Sequence, residues 1–309
     1  MRNLLIILVF TITTSLSGYS QYYVDYGISA GASNYFGEFG GGKGEGRGFL
    51  ADMEFSFTRW TLGGFYRYRI SSKIALKASL NYIRLSGDDA KSGNRTRGAR
   101  NLNFINDMFE LSVNGEYYIY KVNDVGGTGR YRTDFNIYLY GGIGAFYSNP
   151  KGQHAVSGDW VSLRGLNSES KSYSVINLAI PLGIGFYYTF DRKYRIGMEI
   201  GWRTTFTDYI DDASTVYAND YDGITNKTDQ ALLDQINADN GLVAGDKEFI
   251  SLGNFSTGSK RGNDEYNDSY MTATVNLSWA IRGRSKFYKA KYSWIYGRKR
   301  RRRSSRVKF

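Results

Sequence analysis

The chain has 309 residues and contains no cysteine, one histidine (His154) and only two prolines. Without cysteine there can be no disulfide framework, zinc–thiolate site, cysteine nucleophile or iron–sulfur cluster. One histidine leaves little from which to build a histidine-ligated metal site or a Ser-His-Asp triad. Long apolar runs are missing as well. Mean hydropathy is −0.44, and past the N-terminus no stretch of about 18 apolar residues occurs, which excludes a bundle of transmembrane helices.

What is present in quantity is glycine (37), tyrosine (27), phenylalanine (18) and tryptophan (5). Aromatic residues and glycine with almost no proline favour many strands. The net charge of +11 is unevenly placed: residues 282–309 hold 13 Lys/Arg and no acid. Residues 21–281 hold 26 basic side chains against all 29 acidic ones. The body is therefore slightly acidic, and the basic character belongs to an appendage.

The N-terminus has the layout of a secretory signal peptide: a short basic start (Met1-Arg2-Asn3), an apolar stretch over 4–12, and small residues before Gln21. The expected division is a signal peptide over 1–20, a barrel over 21–281 and a basic tail over 282–309. No cysteine follows the cleavage position, so a lipoprotein is disfavoured.

Alternation of period two recurs eight times, over 26–32, 60–70, 74–82, 109–119, 135–145, 176–186, 196–202 and 271–281. In the third segment Ile74, Leu76, Ala78, Leu80 and Tyr82 alternate with Lys77, Ser79 and Asn81. Successive side chains of a strand point to opposite faces, so each segment has one apolar face and one polar or small face. A soluble sandwich would turn the apolar face inward and a membrane barrel would turn it to lipid. Connection lengths separate the two. Residues 71–73 and 191–193 make short turns and 121–134 a moderate one, whereas 40–57, 86–101, 148–173 and 211–267 are long. Turns at one end and long loops at the other is the layout of an outer-membrane barrel. The predicted fold is an all-β, eight-stranded antiparallel transmembrane barrel with long extracellular loops and a basic periplasmic tail, located in the outer membrane.

Eight strands enclose a lumen that their own side chains can fill. Its polar face holds Arg67, Arg69, Lys77, Arg195 and Arg203 against Glu110, Glu116 and Glu199, which should pair into a plug rather than line a channel. Trp60, Tyr117, Tyr188, Trp202, Tyr270 and Trp279 are expected to form an interfacial girdle.

Few motifs suggest chemistry. The glycine-rich run 40–48 lacks the Gly-Lys-Ser/Thr ending of a phosphate loop and a following helix; residues from Phe55 onward read as strand. Asp208, Asp211 and Asp212 could bind calcium or act as a protease acid pair, but EF-hand spacing is absent and no histidine lies near in sequence. They read as carboxylates at the outer rim of a strand. His154 reads as an exposed loop residue, and residues 228–240 as a short surface helix. No cofactor is expected.

The tail is the sharpest feature. Lys286, Lys289, Lys291, Arg298, Lys299, Arg300, Arg301, Arg302 and Arg303 are interleaved with Tyr288, Tyr292 and Trp294, which suggests a docking segment with apolar anchors. An even strand number returns the tail to the periplasm. Nucleic acid is thereby excluded in favour of an acidic protein partner, peptidoglycan or anionic lipid head groups of the outer membrane.

Four stretches together resemble the PorG-type outer-membrane component of the bacterial type IX secretion machinery. They are YGISAGASNYFGE at 26–38, LSGD at 85–88, EIGWRTTFTDYIDD at 199–212, and SKFYKAKY at 285–292 with the arginine-rich end. The resemblance implies a small non-enzymatic barrel that contacts a periplasmic PorK–PorN ring and serves protein secretion and gliding motility. It carries over no catalytic residues. The competing expectation is an outer-membrane enzyme, protease or lipid-modifying, built on the rim carboxylates.

Overall fold

A computed structural model describes residues 22–39, 55–123, 133–191, 193–218, 227–228 and 230–282. The expected signal peptide, the glycine-rich run 40–48 and the tail beyond Arg282 lie outside the described residues. Eight long strands form the barrel: β1 (Tyr22–Phe36), β2 (Arg59–Arg69), β3 (Ile74–Asp88), β4 (Asn103–Asn123), β5 (Thr133–Tyr147), β8 (Ile176–Phe190), β9 (Tyr194–Thr205) and β10 (Ser269–Arg282). A small hairpin, β6 (Lys151–Gln153) and β7 (Trp160–Ser162), lies in the connection between β5 and β8, and the helices α1 (Arg95–Arg100) and α2 (Gln230–Asp239) lie in two others.

Every barrel strand pairs antiparallel with its chain neighbours, and β1 closes on β10 from Phe36↔Ser269 down to Val24↔Ile281. Closure leaves no free edge, so the backbone polar groups of the strands are satisfied within the sheet. The apolar face of every predicted segment points outward. Ile28 (60% exposed), Leu111 (59%), Ile143 (73%) and Leu182 (53%) stand clear of the protein on four different strands. A belt of this kind around a closed barrel is stable only against lipid. This is an eight-stranded outer-membrane-type barrel, and among the described residues no helix is long and apolar enough to cross a membrane.

Three details differ from expectation. Tyr270 is fully buried rather than part of a girdle; it shares the parity of Thr272 and Asn276, the inward series, and its hydroxyl donates to Glu110 at 2.7 Å. Trp60, Tyr117 and Trp279 do stand half-exposed on the outside. Second, Phe55–Phe57 forms a 3₁₀ turn, with the strand starting at Arg59. Third, β3 runs to Asp88, into the expected loop 86–101, and β4 starts at Asn103, ahead of the predicted segment at 109, so the two strands pair further than the alternation indicated. Inward Ile83, Leu85, Phe104 and Met108 there bury apolar surface that draws the strands upward.

The lumen is filled in layers. Near the short-turn end Tyr118, Tyr138, Tyr140 and Tyr187 cluster with Ala75. The glycines opposite make this possible: a Cβ on Gly183 or Gly185 would lie 2.6 Å from the ring of Tyr140 or Tyr138. Toward the long-loop end an apolar layer takes over, including Tyr35, Ile83, Leu85, Phe104, Met108 and Phe146.

Candidate functional site

Three places could carry function: the lumen, the long-loop end and the tail. In the lumen Arg67, Lys77 and Arg203 pair with the glutamates the sequence suggested, whereas Arg195 and Arg69 find other partners. Arg67 is the hub, 3.0 Å from Asp25, 2.8 Å from Glu116 and 3.3 Å from Glu199, with Tyr138 accepting a hydrogen bond at 3.1 Å. Lys77 reaches Glu199 at 2.5 Å and Arg195 reaches Asp25 at 2.7 Å. Higher up, Arg203 meets Glu110 at 3.3 Å. Arg69 instead donates to the Tyr187 hydroxyl and lies 4.2 Å above the Tyr118 ring. Between these groups a cavity of about 20 Å³ remains, lined by Ser79, Asn114, Tyr140 and Arg203 among others. That is room for about one water molecule. Asp25 takes two arginines yet was missed in the sequence, although its parity with Gly27 and Ser29 in β1 marks it as inward.

At the other end the described parts of the long connections fold together over the barrel mouth. Asp208, Asp211 and Asp212 sit inside this cap rather than on an open rim; all three are buried. Asp212 adopts a left-handed backbone (φ 71°) and accepts from Ser168 at 2.8 Å, Tyr173 at 2.7 Å and Arg261 at 3.0 Å. Glu169 ties the neighbouring chain by accepting the backbone N–H groups of Ser214 (2.8 Å) and Thr215 (2.9 Å), and it pairs with Arg261 at 3.1 Å. Arg100 from α1 binds Asp89 at 2.6 Å and the carbonyls of Arg261 (2.5 Å) and Glu38 (3.0 Å).

Asp211 accepts the Ala213 N–H at 2.9 Å through one oxygen and the Tyr35 hydroxyl through the other. Tyr35 also lies 2.7 Å from Asp268, whose second oxygen accepts the Ile210 N–H at 2.9 Å. Asp208 has Ser214 beside it but no hydrogen bond of good geometry to either oxygen. Burial pushes the carboxyls of Asp208 and Asp211 up to about 7 and that of Glu38 up to about 9, and raises those of Asp212 and Asp268. Among the described residues no group of three or more His, Cys, Asp or Glu side chains could hold a metal ion.

A second small core, Ala99, Tyr217, Leu233, Ile250 and Phe255, binds α1 to α2. The helix expected over 228–240 is present as α2; Thr228 donates to the carbonyls of Ala99 and Arg100, each at 2.8 Å. His154 is half-buried, and its Nδ1 accepts the N–H groups of Val156 and Ser157 in the turn between β6 and β7. Tyr35, Glu169, Arg261 and Asp268 were not singled out in the sequence, since nothing local distinguishes them. The predicted tail residues, Lys286 through Arg303, lie outside the described residues.

The family model described as "Domain of unknown function (DUF6089)" matches residues 2–228. No curated protein matches the chain. Several solved structures are similar at low identity. Ail, the attachment invasion locus protein of Yersinia pestis, in complex with the heparin analogue sucrose octasulfate, is 8% identical with a TM-score of 0.36, covering 84% of this chain and 99% of that one. The outer membrane protein OprG from Pseudomonas aeruginosa is 11% identical with a TM-score of 0.36, covering 85% and 99%. The outer membrane protease OmpT from Escherichia coli is 10% identical with a TM-score of 0.32, covering 86% and 100%.

Proposed function

This chain belongs to the DUF6089 family, and we propose that it is a non-enzymatic outer-membrane component of a protein secretion machinery, type IX-like, that engages a periplasmic ring assembly through its basic tail. In this reading the short-turn end faces the periplasm and the cap faces outward. The observation that carries it is the filled lumen. A barrel plugged by Arg67, Lys77, Arg195 and Arg203 with their carboxylates leaves no route for solute, so the work falls to the two ends. At the outer end, burial of Asp211 and Asp212 inside a hydrogen-bonded cap supports the non-enzymatic reading, because a substrate would need them exposed. At the inner end, the 13 Lys/Arg of residues 282–309, with Tyr288, Tyr292 and Trp294 among them, suit an acidic protein partner that also offers apolar contacts, the place the resemblance gives to a PorK–PorN ring.

The test is affinity capture from outer membranes with the full chain and with residues 298–309 removed. The barrel should assemble in both, and ring proteins and secretion should be lost only with the truncated form. Replacing Tyr288, Tyr292 and Trp294 by alanine should weaken capture at unchanged charge. Capture indifferent to these aromatics but abolished by salt would instead indicate lipid head groups. Full capture and secretion without the tail would refute the reading.

A further inference from the structure

Four carboxyl groups converge beneath the cap. Glu38 follows β1, Asp208 and Asp211 follow β9, and Asp268 precedes β10. The nearby arginines are engaged elsewhere, Arg100 with Asp89 and Arg261 with Glu169 and Asp212. Four bare carboxylates packed together and away from water would repel strongly.

Tyr35 ties two of these carboxyls together. The phenol oxygen is in hydrogen-bond contact with Asp211 and lies 2.7 Å from Asp268, and it accepts the Glu38 N–H at 3.0 Å. A phenol has one proton to donate. The far oxygens of both carboxyls already accept backbone N–H groups, from Ala213 and Ile210. Two carboxylates cannot share the single phenolic proton as two full hydrogen bonds. Two such contacts need two protons and the phenol brings one, so the arrangement closes fully when either Asp211 or Asp268 is a carboxylic acid.

We propose that residues 206–218 form a proton-operated latch, closed over the barrel mouth while the Asp211–Tyr35–Asp268 contact holds its extra proton and loosened when that proton leaves. The inference stands independently of the tail and of any secretion partner. Because the ionic layers below seal the lumen, the latch gates no conduction. It governs whether Ile210 and Ala213, fully buried against the apolar layer that includes Phe104 and Phe146, are presented at the surface.

The groups facing the latch set its direction. Asp208 faces Asp211, Glu169 and Asp264; Glu38 faces Asp211, Asp208 and Arg100; Asp268 faces Asp211 and Asp208; Asp211 faces Arg100 and Arg261. Burial, the largest cause at each, and mutual repulsion outweigh the two arginines. The folded carboxyls therefore bind protons more tightly than unfolded ones, which titrate near pH ~4. Their contribution to closure is complete below that value and is lost as pH rises through about 7 for Asp208 and Asp211 and about 9 for Glu38.

Hydrogen exchange on the full chain in zwitterionic detergent tests this. The Ile210 and Ala213 amides, corrected for intrinsic exchange, should lose protection about tenfold or more between pH 6 and pH 9, since one pKa unit is worth a factor of ten. The amide of Leu182, in the barrel wall, should hold. Asp211→Asn keeps an acceptor, supplies a donor to Tyr35 and cannot ionise, so its pH step should shrink. A flat wild-type profile, or an unaltered step in the variant, overturns the proposal. Infrared spectroscopy of the wild type needs no variant: a protonated-carboxyl band present at pH 6 and clearly smaller at pH 9, above the range in which Asp208 and Asp211 ionise, is expected. Absence of that band at pH 6 overturns the latch even where Asp211→Asn fails to fold.

Discussion

The barrel wall and the cap are built by opposite rules. In the wall each strand pairs with its neighbour in sequence, and a period of two decides which side chains meet lipid and which meet the lumen. In the cap the decisive contacts span the chain: Tyr35 to Asp268 across 233 positions, Thr228 to Ala99 across 129, Arg261 to Glu169 across 92. The wall follows from local alternation, whereas the cap exists only once the barrel has brought segments of distant connections together. Most of its polar groups are paired with one another, but several buried carboxyls, Asp208 among them, are not matched by a cation, whereas the charges inside the barrel pair one against another.

The strongest way to break this contrast is at the lumen hub. Arg67→Met leaves Asp25, Glu116 and Glu199 with one cation fewer in a site where Arg67 is 2% exposed. Stranding buried carboxylates should cost about 3–5 kcal/mol, read as a lower urea midpoint for loss of the heat-modifiable gel band. A midpoint equal to wild type would mean that water, rather than arginine, balances those acids. Next in size is the outer surface. Leu182→Arg or Ile200→Arg places a charge in the belt and should cost about 2–4 kcal/mol near the membrane midplane, seen as reduced membrane-assembled protein. Normal assembly would show that these positions do not face lipid.

Legibility followed the same division. All eight strands, their outward faces and the pairing of Arg67, Lys77 and Arg203 with Glu110, Glu116 and Glu199 could be read directly, because alternation records facing and a filled eight-strand lumen demands neutrality, whereas Arg195 pairs with Asp25 instead. Tyr270 was misplaced by composition overruling parity: an aromatic near a strand end suggests a girdle, but its even number sets it inward. The aspartates at 208, 211 and 212 were found, but as rim groups; their burial depends on Tyr35, Glu169 and Arg261, distant residues that no local pattern connects to them. Asp25 was readable by parity and simply outweighed by the glycines around it.

The smallest expected effect sharpens the comparison within the cap itself. Arg95 and Glu248 form an ion pair at 2.8 Å between α1 and the segment after α2, with side chains 27% and 71% exposed. It joins two loops of the cap, as Arg261 and Glu169 do, but those two are 1% and 2% exposed. In water the Arg95–Glu248 attraction is screened, and holding two long side chains in one geometry consumes most of what remains. Glu248→Gln should therefore alter cap stability by no more than about 1 kcal/mol. Limited proteolysis between residues 240 and 250 provides the readout, and cleavage should accelerate less than about fivefold, the factor that 1 kcal/mol represents. Raising salt should slightly speed cleavage of the wild type and leave the variant unchanged. A large acceleration would place Glu248 among the groups that hold the cap shut, and the division between a buried network and a solvated periphery would have to be redrawn at α2.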